Sequence, residues 1–134
     1  MSIDIGAECC ACRGVRCSLD FMNRDSARID ESRALVAARL ESLRAQFRAI
    51  VEGSRWSTDD DEHDPEGSTI AFERAAVLSL ARDAEDELRE LEAAAVRVSA
   101  GTYGTCERCG SPIADARLEA LPAARRCIAC VRMR

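Results

Sequence analysis

Two pairs of cysteines near the carboxyl terminus restrict the fold of this chain more than any other feature. Each pair has two residues between its cysteines, and seventeen residues separate the pairs; the cysteines are Cys106, Cys109, Cys127 and Cys130. Two intervening residues allow one tight turn to present both sulfur atoms to one ion, and the longer segment brings the second turn round to complete a tetrahedron. The spacing therefore predicts one bound zinc ion.

The predicted zinc ion is structural. Four cysteines fill its coordination shell and leave no position for a reacting water molecule. Residues 101–134 contain few apolar side chains, so metal binding, worth about 10–16 kcal/mol in zinc-finger peptides, would supply much of the folding free energy. One alternative is a redox-sensing finger whose thiolates oxidise and release the metal.

Two long segments before the cysteines carry apolar residues at alternating three- and four-residue spacings, the period of a coiled-coil seam. The first runs from the candidate N-caps Asp25 and Ser26 to Gly53, and the second runs from Ile70 to Gly101. The seam residues of the first are Ile29, Val36, Leu40, Leu43, Phe47 and Ile50, with Arg33 in one slot; those of the second are Ile70, Val77, Ala81, Ala84, Leu88, Leu91, Ala95 and Val98. Only 4% of the chain is aromatic, which suits a narrow coiled coil better than a wide core.

The predicted fold is therefore mainly α: an antiparallel two-helix coiled-coil hairpin followed by a small four-cysteine zinc finger. The hairpin spans residues 25–100, with an acidic tip near 59–67, and the finger spans 101–134. Each arm would be about 40 Å long at 1.5 Å per residue. Pro65 at the first helical position, after a cap at Asp64, predicts where the second helix starts, and Ser68 is the rival cap.

Residues 1–24 show no helical period and are expected to form a disordered tail, and Met22 is an alternative start of the protein. The tail contains four further cysteines, which are Cys9, Cys10, Cys12 and Cys17. Their spacings are cramped for one tetrahedral ion. A second metal or redox site is the alternative to an unstructured tail.

Charge and hydropathy exclude several classes of function. The formal charge of −5 disfavours general binding of duplex nucleic acid, whose affinity depends on neutralising phosphates. The chain has no apolar run of about 18 residues that would span a membrane and no basic start followed by an apolar stretch that would direct secretion. We expect a cytoplasmic protein. Because no nucleophile–base pair, open metal site or phosphate-binding glycine loop is evident, we expect no enzymatic activity.

The finger resembles that of the DksA/TraR family of bacterial transcription factors. The resemblance lies in the segment from Gly101 to Gly110, in Ile113, in the segment from Arg117 to Pro122, and in the segment from Cys127 to Cys130. It implies a protein that binds RNA polymerase and not promoter DNA. It also implies that the coiled coil enters the secondary channel of the polymerase to modulate initiation, and that the alarmone ppGpp is a candidate second ligand.

The resemblance further implies that acidic residues at the tip approach the catalytic Mg²⁺ of the polymerase, a hard cation that prefers oxygen ligands. The family pattern Asp-x-x-Asp-x-Ala aligns best with residues 61–66, so Asp61, Asp64 and Glu66 are the predicted tip residues. Glu66 stands where the family has alanine, and a second register begins at Asp64. Larger members also continue into a C-terminal helix after the finger, which bears on the response to ppGpp.

The second hypothesis is a zinc-finger adaptor or nucleic-acid-binding protein. Its contacts would be made by the finger's basic residues Arg117, Arg125, Arg126, Arg132 and Arg134. In either case His63 is expected to be exposed in the tip, and Trp56 is expected to pack across the end of the hairpin.

Overall fold

The computed structural model describes the backbone of residues 10–55 and 65–133, and the side chains of residues 22–55 and 69–133. Four helices follow in chain order: α1 (Cys10–Ser54), α2 (Pro65–Ser99), α3 (Asp115–Ala120) and α4 (Ile128–Arg132). The first two are long, with 45 and 35 residues, and they pack along each other. The last two are short and belong to the finger. The predicted fold class, a helical hairpin followed by a small finger, is confirmed.

The predicted seam holds the hairpin together. Val36, Leu40 and Leu43 of α1 are buried against Ala84 and Leu91 of α2. These side chains recur at three- and four-residue intervals, so they form one stripe on each helix, and burial of the stripes drives the pairing. Three partly buried residues of α2 pack against the same cluster: Leu88 lies between Ala84 and Leu91, and Val77 and Ala81 lie on the side toward the tip.

Exposed ion pairs line the outside of the seam. Arg44 lies 3.1 Å from Glu85, and Arg33 lies 3.9 Å from Glu92. Arg33 fills its seam slot in this way, with its guanidinium directed outward to a carboxylate. Exposed pairs of this kind contribute about 0–1 kcal/mol each, so the apolar stripe supplies most of the pairing free energy.

The amino-terminal boundary of the hairpin differs from the prediction. Helix α1 begins at Cys10, so residues 10–24 are helical where a disordered tail was expected, and residues 1–9 lie outside the described part. Asp25 is not an N-cap; it lies inside α1 with only 3% of its surface exposed. A polar residue such as Asp25 marks the start of a helix only where the residues before it cannot be helical. Residues 10–24 contain no proline, so the helix continues through them.

The other boundaries lie close to those predicted. Helix α1 ends at Ser54, one residue after the expected stop at Gly53. Helix α2 begins at Pro65, whose missing N–H is of no consequence at a helix start. At the other end of α2, Gly101 adopts a φ of 71°, a conformation that glycine accepts readily and that ends helices.

The finger docks on the base of the hairpin through a small apolar cluster. Ile29 of α1 and Ala94 and Val98 of α2 are buried together, and Tyr103 of the finger packs against them. A separate core lies within the finger, formed by Ile113, Leu118 and two cysteines. The finger thus closes one end of the coiled coil. Within the described residues, neither long helix contains a stretch apolar enough to cross a membrane.

Candidate metal centre

The first cysteine pair lies on a tight turn. The Cys106 N–H donates to the Ser111 carbonyl, and the Gly110 N–H donates to the Cys106 carbonyl, both at 2.9 Å. Gly110 has a φ of 71°, which an L side chain rarely adopts, so glycine is required to close this turn. Thr105 and Pro112 pair across it in a single antiparallel bridge. The turn directs both sulfur atoms of the pair to the same side.

The second cysteine pair spans the start of α4. Cys127 is the residue before the helix, and Cys130 lies one turn later; the Val131 N–H donates to the Cys127 carbonyl at 3.1 Å. A backbone hydrogen bond joins the two turns, from the Glu107 N–H to the Arg125 carbonyl at 2.9 Å. The two turns therefore face each other at a fixed separation.

The four sulfur atoms form one cluster, in which all lie within 4.8 Å of one another. The Sγ atoms of Cys109 and Cys127 are 3.7 Å apart. A zinc ion with Zn–S bonds of about 2.3 Å requires tetrahedral edges of about 3.8 Å. Because four soft thiolate donors stand at this spacing, the arrangement fits zinc, and the predicted single structural zinc ion is confirmed.

The protonation chemistry of the cysteines also fits a cation. Backbone N–H groups, first that of Cys127 and then that of Cys109, donate to the Cys106 sulfur and lower the pKa of this thiol to about 6. In contrast, the hydrogen-bonded sulfur of Cys109 and then burial raise the pKa of Cys130 to about 12. Four thiolates cannot crowd together without a compensating charge. A bound dication supplies that charge and favours the deprotonated form of every ligand.

Burial at the centre is asymmetric. Cys106 and Cys130 are 2% and 3% exposed and belong to the finger core, whereas Cys109 is exposed and Cys127 is half-buried. Arg108 covers the carboxyl-terminal side by donating to the carbonyl oxygens of Cys130 and Met133. One edge of the centre therefore faces solvent, and the other edge is continuous with the finger core.

Arg97 and Tyr103 connect the centre to the hairpin. The Arg97 guanidinium donates to the carbonyl oxygens of Ala123 and Ala124 at 3.0 Å each, and it lies over the Tyr103 ring, 5.9 Å from the centroid. The Tyr103 hydroxyl donates to the Pro122 carbonyl at 2.8 Å. These bonds fasten the loop before the second cysteine pair to the end of α2.

A buried ion pair lies on the α1 side of the contact between finger and hairpin, which we call the joint. Asp25 lies 3.6 Å from Arg28 one turn further along α1, and neither buried atom, Asp25 Oδ1 nor Arg28 Nη1, has a hydrogen-bond partner among the described residues. Burial raises the pKa of the Asp25 carboxyl above its ordinary value, although Arg28 and Arg24 oppose the change. Arg28 also approaches Glu119 of the finger at 3.9 Å.

Sequence reasoning missed this joint. The sequence predicts Asp25 as a helix cap and assigns no role to Arg28 or Arg97. The available signals were weak: an i,i+3 Asp–Arg pair that resembles many surface pairs, and a basic residue in the last turn of α2, where arginine also favours the helix dipole.

The basic residues of the finger are partly engaged. Arg125 pairs with Glu90 of α2 at 2.9 Å, and Arg117 donates to the Arg126 carbonyl at 2.9 Å. Arg126 and Arg132 are exposed, and Arg134 lies outside the described residues. The five arginines therefore do not form one free surface, because Arg125 contributes to the docking of the finger on the hairpin.

The predicted tip falls largely outside the described residues. Asp61, Asp64, His63 and Trp56 lie there, and Glu66 lies in the first turn of α2 with a side chain that is not described. The side chains of the amino-terminal cysteines, which are Cys9, Cys10, Cys12 and Cys17, are also outside the described set. The tip residues and the second metal site therefore stay predictions.

Comparison with known proteins identifies the finger. Residues 101–131 match the prokaryotic dksA/traR C4-type zinc finger. An uncharacterized protein of Aquifex aeolicus (strain VF5) is 49% identical over 43 residues, covering 32% of this chain and 30% of the relative. The uncharacterized protein YteA of Bacillus subtilis (strain 168) is 38% identical over 64 residues, covering 48% of this chain and 27% of YteA. The matches thus span less than a third of the length of these curated relatives.

The whole fold has a counterpart among solved structures. The structure of transcription factor DksA2 from Pseudomonas aeruginosa superposes with a TM-score of 0.67, covering 83% of this chain and 80% of that chain at 24% identity. The fold and the metal centre define a class of proteins in which a helical hairpin carries a four-cysteine zinc finger at its base. The predicted resemblance is confirmed for the finger, which matches the dksA/traR C4-type zinc finger, and the hairpin-and-finger fold is the one that DksA2 has.

Proposed function

We propose that this protein is a transcription regulator that binds RNA polymerase directly and inserts the acidic end of its hairpin into the secondary channel to modulate initiation. The observation that carries the proposal is the shape of the arm. The finger lies beside α1 from Ile29 to Arg39, and α1 then continues for fifteen residues to Ser54, paired with α2. Fifteen helical residues correspond to about 22 Å of projecting rod.

The chemistry of the tip supports the same function. Asp61 and Asp64 belong to the segment that joins Ser54 to Pro65, and Glu66 is the second residue of α2. Carboxylates at the end of a rod only two helices wide can reach a metal ion at the bottom of a narrow channel, and oxygen ligands are those that Mg²⁺ prefers. In this proposal the finger positions the rod and performs no catalysis, and ppGpp is a candidate second ligand.

The test is in vitro transcription with purified bacterial RNA polymerase, with and without ppGpp. We expect the wild type to change initiation at responsive promoters, and the triple variant Asp61→Ala, Asp64→Ala, Glu66→Ala to bind the polymerase without this effect. The matched control is Glu31→Ala, Asp83→Ala, Asp86→Ala, which removes the same charge from exposed positions on the arm. If the tip variant acts like the wild type, or if the control loses activity equally, tip insertion is rejected.

One observation favours a second candidate, the zinc-finger adaptor. Residues 101–134 carry six arginines against three carboxylates, whereas the hairpin is acidic. Because Arg125 is paired with Glu90, the adaptor function would depend on Arg126 and Arg132. Loss of polymerase binding in Arg126→Ala, Arg132→Ala, together with unchanged activity of the tip variant, would favour the adaptor.

A further inference from the structure

The half of α2 farther from the finger, which we call its distal half, contains unusually few charged side chains. Residues 70–81 contain two charged side chains, Glu73 and Arg74, whereas the next twelve residues, 82–93, contain eight. Arg74 is directed to α1, with its guanidinium 6.0 Å from the centroid of the Phe47 ring. A helix that is apolar on its outer as well as its inner face is normally buried on both. The distal half of α2 therefore has the composition of a helix with a second apolar contact.

The exposed apolar side chains of this segment form a stripe. Phe72, Ala76 and Leu80 follow one another at four-residue intervals and so share one face of α2. Phe72 is 76% exposed and Leu80 is 54% exposed, while the seam is occupied by Val77 and Ala81. We call this face the Phe72 stripe. Its continuation toward the finger is charged, since Asp83 and Glu87 take the corresponding positions.

The stripe is too small to join two copies of the chain by itself. Stable interfaces use about 20–30 residues on each side, and the stripe has three. Its position indicates a different occupant. Phe72 is seven residues after the start of α2, about 10 Å along the helix axis, so a cavity that admits the acidic tip also encloses the stripe. Large exposed apolar side chains, such as Phe72 and Leu80, gain free energy when such a wall covers them.

We propose that the Phe72 stripe docks on an apolar wall of the same protein that receives the tip, and thereby supplies affinity while the carboxylates supply the regulatory effect. The inference rests on the proposed function and assigns the wall to RNA polymerase. The division of roles follows from the chemistry, because apolar burial is favourable but non-directional, whereas carboxylates act on a metal ion at a defined position.

The test compares two sets of variants of the full-length, zinc-loaded protein. We expect Phe72→Ala, Leu80→Ala to weaken binding to purified core RNA polymerase by about tenfold or more. Alanine favours helix, so these exposed changes preserve the hairpin, and circular dichroism checks this. The matched control is Val96→Ala, a 68% exposed apolar residue of the same helix near the finger, which should bind within about twofold of wild type.

Two readouts separate this inference from the proposed function. At saturating concentration the stripe variant should recover the full effect on transcription, whereas the tip variant should bind but stay inactive. If the wild type binds polymerase and the stripe variant binds equally well, the stripe inference is overturned and the proposed function stands. If the wild type does not bind polymerase, both are overturned.

Two other occupants of the stripe are tested in the free protein. Trp56 is the only tryptophan and lies in the tip segment. A shift of its emission on Phe72→Ala would show that the chain covers its own stripe and would overturn the inference. Concentration-dependent dimerisation in sedimentation experiments, lost in the stripe variant, would assign the stripe to a second copy. A monomer with unchanged emission supports the polymerase wall.

Discussion

Cys106 and Cys130 are both zinc ligands and core residues, since each is almost completely buried among Ile113 and Leu118. Their substitution removes a ligand and also disturbs the finger core. The exposed Cys109 has only the first of these roles. At this scale the metal and the apolar core are one structure, because the ion fixes the two turns that enclose Ile113 and Leu118.

We expect Cys130→Ser to lower the zinc content of purified protein from one ion per chain to well below one, because the remaining three sulfurs leave the tetrahedron incomplete. The measurement is metal analysis. The matched control is Cys17→Ser, which removes a thiol from the amino-terminal cluster and should keep one zinc. Full zinc retention in Cys130→Ser would contradict the assignment, and a content of two ions in wild type, reduced by Cys17→Ser, would reveal the second site.

Asp25→Asn should make stability less dependent on pH. The raised pKa of the folded-state carboxyl means that the folded protein holds this proton at pH values where the unfolded chain, near its ordinary value of 3.8, has lost it. The folded state is therefore penalised as pH rises from about 4 through the folded pKa. We expect wild type and Asp25→Asn to be most alike in acid, and the variant to gain relative stability as the pH approaches neutrality.

The measurement for Asp25 is urea unfolding of both proteins at a series of pH values. Asp30→Asn is the control, since this exposed carboxylate also lies one turn from an arginine of α1, Arg33, at 3.4 Å. A relative stability of Asp25→Asn that falls with rising pH would show that Arg28 stabilises the charged carboxyl more than burial destabilises it.

At the scale of elements, the joint between finger and hairpin decides where the finger points. The contacts come from α1 through Arg28, from the end of α2 through Arg97, and from the finger through Tyr103. The hairpin seam and the finger core are separate apolar clusters. These three side chains, the cluster around Ile29, the Arg125–Glu90 pair and the contact of Ala123 with the seam therefore set the orientation of the metal centre relative to the rod.

Arg97→Lys should destabilise the joint by about 1–3 kcal/mol, because a lysine cannot donate to two carbonyl oxygens in the fixed geometry of a guanidinium. Arg97 is mostly buried, with 12% of its side chain exposed, so the carbonyls of Ala123 and Ala124 are not readily satisfied by water. The measurement is chemical unfolding with zinc present. Arg89→Lys, at a side chain 69% exposed on the same helix, should change stability by less than about 0.5 kcal/mol. Equal effects of the two variants would refute the role of Arg97.

At the scale of the whole molecule, we expect the helix content to depend little on bound zinc. Helices α1 and α2 contain 45 and 35 residues, whereas α3 and α4 contain 6 and 5. The long helices are held by the seam, and the short ones lie in the finger, whose folding depends on zinc. We therefore expect the hairpin to stay folded when removal of the metal unfolds the finger.

Removal of zinc by a strong chelator should unfold the finger and leave most of the far-ultraviolet circular dichroism of the hairpin. Tyr103 is the only tyrosine and lies at the joint, and Trp56 is the only tryptophan and lies near the tip. We expect the near-ultraviolet signal of the tyrosine to change and the tryptophan emission to stay constant, with recovery on addition of zinc. Loss of all helicity on chelation would show that the hairpin cannot fold without its anchor.

The features that could be predicted from sequence are those that depend on residues close together in the chain. The spacing within each cysteine pair defines a metal-binding turn, and the recurrence of Val36, Leu40 and Leu43 defines a helical face. Both patterns repeat local geometry, so they need no knowledge of distant contacts. The sequence by itself therefore determined the hairpin, the finger and the identity of the metal.

The tertiary structure alone decided the joint and the outer face of α2. Asp25 is a polar residue just before the first apolar period, the position of a cap, yet it is buried beside the finger. Arg97 finds its carbonyl partners 26 and 27 residues away. Phe72 appears in sequence as one more apolar residue near a seam, and only the packing of α2 on α1 shows that it faces outward. Such contacts depend on which helix surfaces pack together after the helices have formed, and local helix propensity does not specify that packing.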